Sequence, residues 1–314
     1  MLEDVLTVLK QRAQTDLAKL QCSSKRETLM NRIKASLMPA ALMGTLLIGS
    51  GLATTSFAQD PYTVGVEASF PPWAYVEAGE FKGIAIDAME AIAEEAGIEI
   101  EFQDMPFPSL IPALAAEKID ILATGLTVTE ERSENIDFTI PWWETNDVVL
   151  VPEDSDLNVF TAVCCGASVG VQGGSSQQAW MEENVVNSSD IDVELSKYDN
   201  YVTAVDDMAI GRISSVIVDD TSAQEYINAG KPVKMAGKIY IRAPLALAVS
   251  KGDPQEILGD LNQGILAIYE SGEWGKIVEN YIPGVTVPAI PGHMPDFVDT
   301  YQKPVAGLPE LGNE

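Results

Sequence analysis

The sequence predicts an α/β protein with two α/β units, each built on a mainly parallel sheet flanked by helices. Strand-like apolar runs alternate with helical patterns of about 8–12 residues, an alternation typical of βαβ units. This alternation begins at Tyr62 and restarts after Pro152. Residues 59–314 are also long enough to form two lobes, each with its own core.

The first unit opens with a short β-branched strand, Tyr62–Val66. The stretch FKGIAIDAMEAIAEEAG predicts a helix, because its apolar residues recur on one face and Gly97 follows as a stop. The elements predicted after it are a strand over Ile98–Phe102, a helix over Ser109–Ala116 and an apolar strand over Ile119–Ala123.

The second unit begins with the strand SVGVQ, followed by Gly173 and Gly174. Six prolines from Pro283 onward predict an extended tail over 286–314. The other predicted elements are helices over Ser175–Glu183, Tyr201–Ile210 and Thr221–Ala229, strands over Ser215–Val218 and Leu245–Val249, and helices over Gln255–Glu270 and Gly275–Tyr281.

The pattern of residues 1–58 indicates a signal peptide region, and we therefore expect export to the periplasm. An apolar stretch, Leu37–Leu52, follows basic residues and precedes a small-residue cleavage site ending at Ala58. The stretch is shorter than the about 20 apolar residues of a membrane-spanning helix, so an uncleaved anchor is the weaker alternative. A start at Met30 would give a signal peptide of ordinary length. We expect a protein that is soluble after cleavage.

The expected mature chain is strongly acidic. Residues 1–58 hold 7 of the 19 Lys and Arg and 4 of the 47 Asp and Glu, which leaves 12 positive side chains, 43 negative ones and a formal charge of −31. This charge excludes nucleic acid as a partner, because phosphates are bound through Lys and Arg. The acidity serves solubility or, alternatively, attracts cationic ligands.

The cysteines and the histidine give no metal site. Cys22 precedes the cleavage site, and Cys164 and Cys165 with His293 make a poor ligand set, so we expect no metal and no cofactor. Adjacent cysteines seldom pair. We therefore predict small buried residues or free thiols, with a vicinal disulfide as the alternative.

Arg132 is the first candidate for binding an anion. In TVTEER, Thr129 is a good N-cap and Glu130 and Glu131 occupy the first helical turn, just after the strand that ends at Ala123. Ligands of open α/β sheets bind at the carboxyl ends of strands, and an arginine fork matches a carboxylate. The alternative is that Arg132 pairs with its neighbouring glutamates on the surface.

The ordered motifs resemble the bacterial extracellular solute-binding proteins of family 3, the polar amino-acid-binding proteins of ABC importers. The resemblance runs from GVEASFPPWAY through ATGLTVTEER, VGVQGGSSQQAW and GRISSVIVDD to SGEWGKIVENYI, and spans Tyr62 to Gly284. It implies a two-lobed periplasmic-binding-protein fold of type II with a two-strand hinge. One lobe would comprise 60–143 plus 246–285 and the other 149–241, with hinges near 142–148 and 241–247.

The same resemblance implies the site that binds the amino-acid backbone. Arg132 matches the arginine that binds the ligand α-carboxylate, and Asp219 matches the aspartate that binds the ammonium, with adjacent Asp220 as the alternative. The remaining matches are Gly125 and Thr127 beside the arginine, and Gly174, Ser175 and Ser176 in the second lobe, whose N–H groups at a helix start complete the carboxylate site.

Aromatic and acidic residues are implied around the ligand side chain. Phe70 and Phe107 match aromatic positions that sandwich that side chain, and Trp73 lies nearby. Glu67 stands where relatives often carry Asp, which favours a cationic or amide amino acid over an acidic one. The pair Trp142-Trp143 is expected to pack at the hinge, with a wall of the cleft as the alternative.

The function implied is capture of an amino acid by closure of the lobes, followed by delivery to the permease of an ABC importer. The protein would be a monomer and not an enzyme. The alternative is an exported dehydratase of the same fold acting on a prephenate-like acid. Glu67 would then be a general acid with a pKa raised by its aromatic neighbours.

Overall fold

The computed structural model describes residues 60–188, 190–285 and 287, with only the backbone described at 240–242. All of them belong to one compact unit, Ala58–Glu314. The predicted signal peptide region lies outside the described residues, and so does the predicted tail apart from residue 287. No helix in the described part of the chain is long and apolar enough to cross a membrane.

The chain from residue 60 to 142 alternates strands with three helices. In order these elements are β1 (Tyr62–Val66), β2 (Ser69–Phe70), β3 (Ala74–Glu77), β4 (Glu80–Lys82), α1 (Ile84–Ala96), β5 (Ile100–Asp104), α2 (Phe107–Ala115), β6 (Ile121–Leu122), α3 (Glu130–Ser133) and β7 (Ile136–Phe138).

The second part of the chain holds the longest strands. Its elements are β8 (Trp143–Pro152), β9 (Ala167–Gln172), α4 (Ser176–Met181) with a π-helical continuation (Glu182–Val186), β10 (Val193–Tyr198), α5 (Tyr201–Ala209), β11 (Ser215–Asp219), α6 (Asp220–Asn228), β12 (Val233–Leu245), β13 (Ala248–Ser250), α7 (Leu258–Glu270) and α8 (Glu273–Tyr281).

The two large sheets each have five strands and the same pattern of strand directions. The first has the order β5-β1-β6-β13-β7 and the second the order β10-β9-β11-β8-β12, while β2, β3 and β4 form a small antiparallel sheet. In each large sheet the fourth strand, β13 or β8, runs against the other four. The predicted mainly parallel α/β architecture is therefore confirmed.

Two paired strand segments connect the sheets. The beginning of β8 pairs antiparallel with the end of β12, from Trp143 opposite Leu245 to Asn146 opposite Arg242. We call the part built on the first sheet, with α1–α3, α7 and α8, the first lobe, and the part built on the second sheet, with α4–α6, the second lobe. The predicted hinge segments, 142–148 and 241–247, overlap this pair, and the predicted lobe boundaries stay a prediction.

Helix α1 has the apolar face that its sequence predicts. Met89 and Ile92 are fully buried, and Gly97 ends the helix in a left-handed conformation with φ of 69°. On α7, a Cβ added at Gly264 would lie 2.7 Å from the carbonyl oxygen of Ile92, so glycine permits the close approach of the two helices. Burying a side chain such as Ile92 contributes about 1.5–3 kcal/mol.

Four tryptophans form a cluster at the hinge. Trp142 packs edge-on against Trp73 and Trp274, with ring centroids 6.1 and 5.1 Å apart, and Trp143 contacts the same two rings at 6.1 and 5.9 Å. Both hinge tryptophans are buried. The expectation that Trp142-Trp143 pack rather than wall the cleft agrees with these contacts.

Some predicted boundaries were wrong. Helix α2 begins at Phe107 rather than Ser109, because a proline is tolerated in the first helical turn. The predicted helix from Gln255 begins only at Leu258. The predicted strand over Leu245–Val249 is divided, since β12 ends at Leu245 and β13 begins at Ala248.

The prediction of free thiols was also wrong. The sulfurs of Cys164 and Cys165 are bonded to each other in the turn before β9. Cys165 adopts a positive φ of 61°, and Gly166 follows with φ of 83°. Cys164 is buried, whereas Cys165 is exposed.

Candidate functional site

A cleft lies between the two lobes, at the carboxyl ends of β9 and β11 and beside the turn that follows β6. Because β8 is reversed, its beginning lies at the same edge as the ends of its neighbours. The cleft is lined by Phe70, Trp73, Phe107, Gly125, Thr127, Arg132, Thr145, Gln172, Ser175, Ser176, Gln177, Tyr201, Asp219 and Leu245.

Arg132 is buried in the cleft and does not pair with its neighbouring glutamates. Thr129 accepts a hydrogen bond from the Arg132 main-chain N–H at 3.2 Å, the N-cap that the sequence predicts. The guanidinium donates to the carbonyl oxygens of Thr127 at 2.7 Å and Gly174 at 2.9 Å, and Cζ lies 5.6 Å from the centre of the Phe107 ring. Among the described residues no carboxylate lies within ion-pairing distance of Arg132.

The positive charge of Arg132 is therefore stabilised by the dipoles of two backbone carbonyl groups. Burial lowers the pKa of its guanidinium to about 10, and the side chain stays protonated at neutral pH. A buried cation without an anion is costly, and a carboxylate entering the cleft would compensate it. The loop that carries Thr127 is fixed by bridges to the hinge strand at Leu245.

The turn at Gly174 faces Arg132 from the second lobe, but its N–H groups are partly occupied. The N–H of Gly174 donates to Gln178 Oε1 at 2.8 Å, and that of Ser175 donates to the Gln172 carbonyl at 3.2 Å. The turn thus uses two of the three N–H groups that are expected to complete the carboxylate site, and their role toward a ligand stays a prediction. Ser176 begins α4, and its hydroxyl donates to Thr127 Oγ1 at 3.3 Å across the cleft.

Asp219, and not Asp220, lines the cleft. Its Oδ1 accepts from the Ser222 N–H at 2.9 Å, as the N-cap of α6, and from the Trp73 indole at 3.3 Å. Its Oδ2 is buried with no hydrogen-bond partner among the described residues. Burial raises the pKa of this carboxyl to about 6. Asp220 instead accepts from Asn146, outside the cleft.

Glu67 lies immediately behind the cleft wall, at the carboxyl end of β1. Its Oε1 accepts from Gln172 Nε2 at 2.6 Å and from the Ser69 hydroxyl at 3.3 Å. Its Oε2 is buried and has no partner in the described part of the chain. Burial raises the pKa of Glu67 to about 7. Gln172 also donates to the Asp199 carbonyl at 3.1 Å, so its amide orientation is fixed.

Two aromatic side chains form opposite parts of the wall. Phe70 packs against Tyr201 of the second lobe with ring centroids 5.7 Å apart, and Phe107 lies against Arg132. Gly125 makes room for Phe70, because a Cβ at this position would lie 2.8 Å from Cε1 of the phenyl ring.

Eight of the ten predicted site residues line the cleft, and the other two contact it. Glu67 reaches the cleft through Gln172, and Gly174 through its carbonyl bond to Arg132. The sequence predicts none of the other lining or supporting side chains, namely Thr145, Asp147, Gln172, Gln177, Tyr201 and Leu245. Gln172 is the last residue of a predicted strand, and this position at the carboxyl end of a strand is its one sequence signal for a place in the site.

Asp147 is the most deeply buried of the residues that the sequence does not predict, at 1% exposure. Its Oδ1 accepts from Gln177 Nε2 at 2.6 Å, and Gln177 Oε1 in turn accepts from the Tyr201 hydroxyl at 3.0 Å. Burial raises the pKa of Asp147 to about 7. Around the cleft the described residues thus place Arg132 among three buried carboxyl groups.

Residues 62–284 match the family described as bacterial extracellular solute-binding proteins, family 3. The chain is 30% identical to an L-arginine-binding protein of Pseudomonas aeruginosa over 77% of its own length and 95% of that protein. It is 28% identical to ABC transporter arginine-binding protein 1 of Escherichia coli, over 79% and 98%. The fold is similar to that of an ancestral arginine-binding protein bound to arginine, with a TM-score of 0.66 and 32% identity, over 72% of this chain and 99% of that one.

Proposed function

The chain belongs to the bacterial extracellular solute-binding proteins of family 3, and from this membership we propose that it is an exported protein that binds a polar L-amino acid between its lobes. It then delivers that amino acid to the permease of an ABC importer, as the name of its Escherichia coli relative suggests. It acts as a monomer in the periplasm.

One observation carries this proposal: a buried arginine and a buried aspartate with an unpartnered oxygen line the same cleft. Arg132 and Asp219 come from different lobes, and each is held by fixed hydrogen bonds. A zwitterion that leaves water loses hydration at both charges and needs a fixed partner for each. We assign the α-carboxylate to Arg132, Gly125, Thr127, Ser175 and Ser176, and the ammonium to Asp219.

The side chain of the ligand is cationic or an amide. Glu67 offers a second unpartnered carboxylate oxygen behind the cleft, and the carbonyl oxygen of Gln177 accepts hydrogen bonds at its floor. Both groups favour N–H donors and repel a carboxylate. Phe70 and Phe107 would hold the aliphatic part of the side chain between them. The arginine named in the two relatives fits this requirement.

Binding is coupled to closure because the contacts cross from lobe to lobe. Three hydrogen bonds join the lobes: Arg132 donates to the Gly174 carbonyl, Gln172 donates to Glu67, and Trp73 donates to Asp219. A ligand that touches both sides stabilises this closed arrangement over an open one. The paired hinge segments of β8 and β12 are where the backbone would bend.

We propose binding without chemical turnover. Glu67, with its raised pKa, is the group that a dehydratase would use as a general acid. Asp219, however, provides an ammonium site that a prephenate-like acid does not need. The relatives compared above are also named as binding proteins.

The test is thermal unfolding of the purified protein, after unfolding and refolding to remove any bound ligand, against the twenty L-amino acids, ornithine, citrulline and prephenate. A ligand at a hundred times its Kd adds about 2.7 kcal/mol of stability, which raises Tm by several degrees. We expect a rise with arginine, lysine, ornithine, histidine or glutamine. A rise with prephenate alone would replace this proposal by the dehydratase, and a rise with none of these compounds would refute both.

A further inference from the structure

Asp147 and Asp219 form a pair of carboxyl groups beneath the cleft. They are directly opposite each other on the antiparallel strands β8 and β11. Opposite residues of such a pair point to the same face of the sheet, with Cβ atoms about 5 Å apart. Their exposures are 1% and 5%. Two nearly buried acids thus lie side by side, and one of them, Asp219, is at the wall of the cleft.

Each carboxyl group has one satisfied oxygen and one free oxygen. Asp147 Oδ1 accepts from Gln177, and Asp219 Oδ1 accepts from Ser222 and Trp73. The Oδ2 atoms of both residues are buried without a hydrogen-bond partner among the described residues. Asp147 thus accepts one hydrogen bond and Asp219 two, and neither carboxylate has both oxygens hydrogen-bonded among the described residues.

The described side chains around the pair, which do not include those of residues 240–242, are acids and phenols rather than cations in contact with it. Arg132 faces the same cleft, but its guanidinium is bonded to carbonyl groups of Thr127 and Gly174. Lys238 of β12 pairs with Asp220 at 3.8 Å. Helix α4 and strand β12 contribute the neutral residues Gln177 and Ile239. The titratable groups that face the pair are Asp220 and Tyr226 from α6, Tyr201 from α5 and Glu67 from the first lobe.

Two buried acids with no cation beside them among the described side chains cannot both ionise at low cost, so they titrate as a coupled pair. Burial and the neighbouring charge of Asp219 raise the pKa of Asp147, and burial raises that of Asp219. The proximity follows from the strand register, independently of these pKa values.

We propose that Asp147 and Asp219 hold one proton between them in the ligand-free protein and that the ammonium group of the ligand displaces it. The acid O–H bond breaks, the proton passes to water or buffer, and the ammonium donates its N–H bonds to Asp219. One cation replaces another, so the charge of the buried site is conserved. This inference rests on the proposed function, because it needs an ammonium at Asp219.

Asp147 is then a specificity-determining residue that need not touch the ligand. It keeps the negative charge of the subsite high enough to require a cation, while Gln177 separates it from the cleft. A ligand without an ammonium group brings no cation to replace the proton, and releasing the proton would then leave two buried anions side by side.

The proton can be counted by calorimetric titration of L-arginine into the full-length protein at pH 7, in phosphate and in Tris buffer, whose ionisation enthalpies differ. We expect proton release at pH 7 that decreases by pH 8, and because Glu67 also has a raised pKa and can release a proton to L-arginine, the share of the pair is the difference between wild type and Asp147→Asn. Below the pKa of the pair, affinity should fall by up to about tenfold per pH unit. Asp147→Asn should release less than half as many protons at pH 7. Asp206→Asn, at an exposed ion pair with Lys231, should match the wild type.

The outcomes separate the two proposals. If L-arginine binds with the same heat in both buffers, the shared proton is refuted and the proposed function stands. If neither L-arginine nor another amino acid binds, the proposed function fails. In that case, the protonation of Asp147 and Asp219 is measured in the ligand-free protein by NMR, as a pH titration with carboxyl-labelled aspartate. Two linked steps that become one in Asp147→Asn would support the pair, and unchanged independent steps would refute it. Circular dichroism checks that the variant is folded.

Discussion

Glu67 Oε1 and Gln172 Nε2 lie 2.6 Å apart and join the two lobes by a buried hydrogen bond. The bond connects the end of β1 with the end of β9. It leaves the other carboxyl oxygen of Glu67 without a partner among the described residues. One oxygen of Glu67 thus helps to hold the lobes together, while the other stays buried behind the cleft wall.

The Glu67 carboxylate should set the preference for cationic ligands. Glu67→Gln keeps the size of the side chain and the bond partner Gln172 but removes the charge. A hydrogen bond to a charged group contributes about 1.5–3 kcal/mol, so affinity for L-arginine relative to L-glutamine should fall by about tenfold or more. Competition calorimetry measures this ratio. Glu77→Gln, at an exposed position of β3, is the control, and an equal ratio in both variants would exclude Glu67 from the side-chain site.

Glu67 should also make ligand-free stability depend on pH. Its pKa in the folded protein is about 7, above the usual 4.5, so the folded state binds more protons between these values. Its contribution to the free energy of unfolding is complete below pH 4.5 and is lost as pH rises to about 7, by at most about 3 kcal/mol. Urea unfolding of wild type and Glu67→Gln from pH 4 to 8 should show a difference that declines with pH. A flat difference would mean that Glu67 ionises normally.

Arg132 should be needed for binding but not for folding. Arg132→Met removes the buried cation, and affinity for the amino acid should fall by about 100-fold or more. Stability without ligand should be unchanged or higher, because an uncompensated buried charge is removed. Calorimetry and urea unfolding measure the two effects. Arg212→Met, which breaks an exposed ion pair with Asp207, should bind normally. Full binding by Arg132→Met would show that the carboxylate site is elsewhere.

Gly125 should set the position of the aromatic wall. In Gly125→Ala the new Cβ would lie 2.8 Å from Phe70, and the ring must move into the cleft or away from Tyr201. Such overpacking typically costs about 1–3 kcal/mol, so we expect a loss of affinity of about fivefold or more in a folded protein. Gly259→Ala on α7 is the control, since a Cβ there meets nothing within 4 Å. Equal affinities in both variants would mean that Phe70 does not contact the ligand.

The sequence predicts those helices and strands that carry a clear hydrophobic period or a stop residue within their own segment. The strand Tyr62–Val66 has its predicted bounds, and the helix of residues 84–96 ends just before the predicted stop Gly97, because period and stop signal lie within each segment. The small sheet of β2, β3 and β4 was not predicted, since strands of two to four residues carry too little alternation. Nothing local indicates that β8 runs against its neighbours.

The residues of the candidate site likewise differ in whether nearby sequence signals predict them. Arg132 is predictable because the N-cap signal at Thr129 and the preceding strand are close to it in sequence. Asp147 is not, because it lies inside a strand, before the apolar run from Val148 to Val151, and becomes a neighbour of the cleft only through its register with Asp219. A pairing between strands some 70 residues apart leaves no trace in the order of residues within either strand.

The position of β13 has a consequence for the order in which the protein is completed during its synthesis. Strand β7 pairs with β13 and with no other described strand, and β13 also joins it to β6. Residues 139–247, including the whole second sheet, are made between these partners. Pairings so distant along the chain form slowly, because a long loop must close first. The first lobe therefore begins before the second lobe in the chain and can be completed only after it.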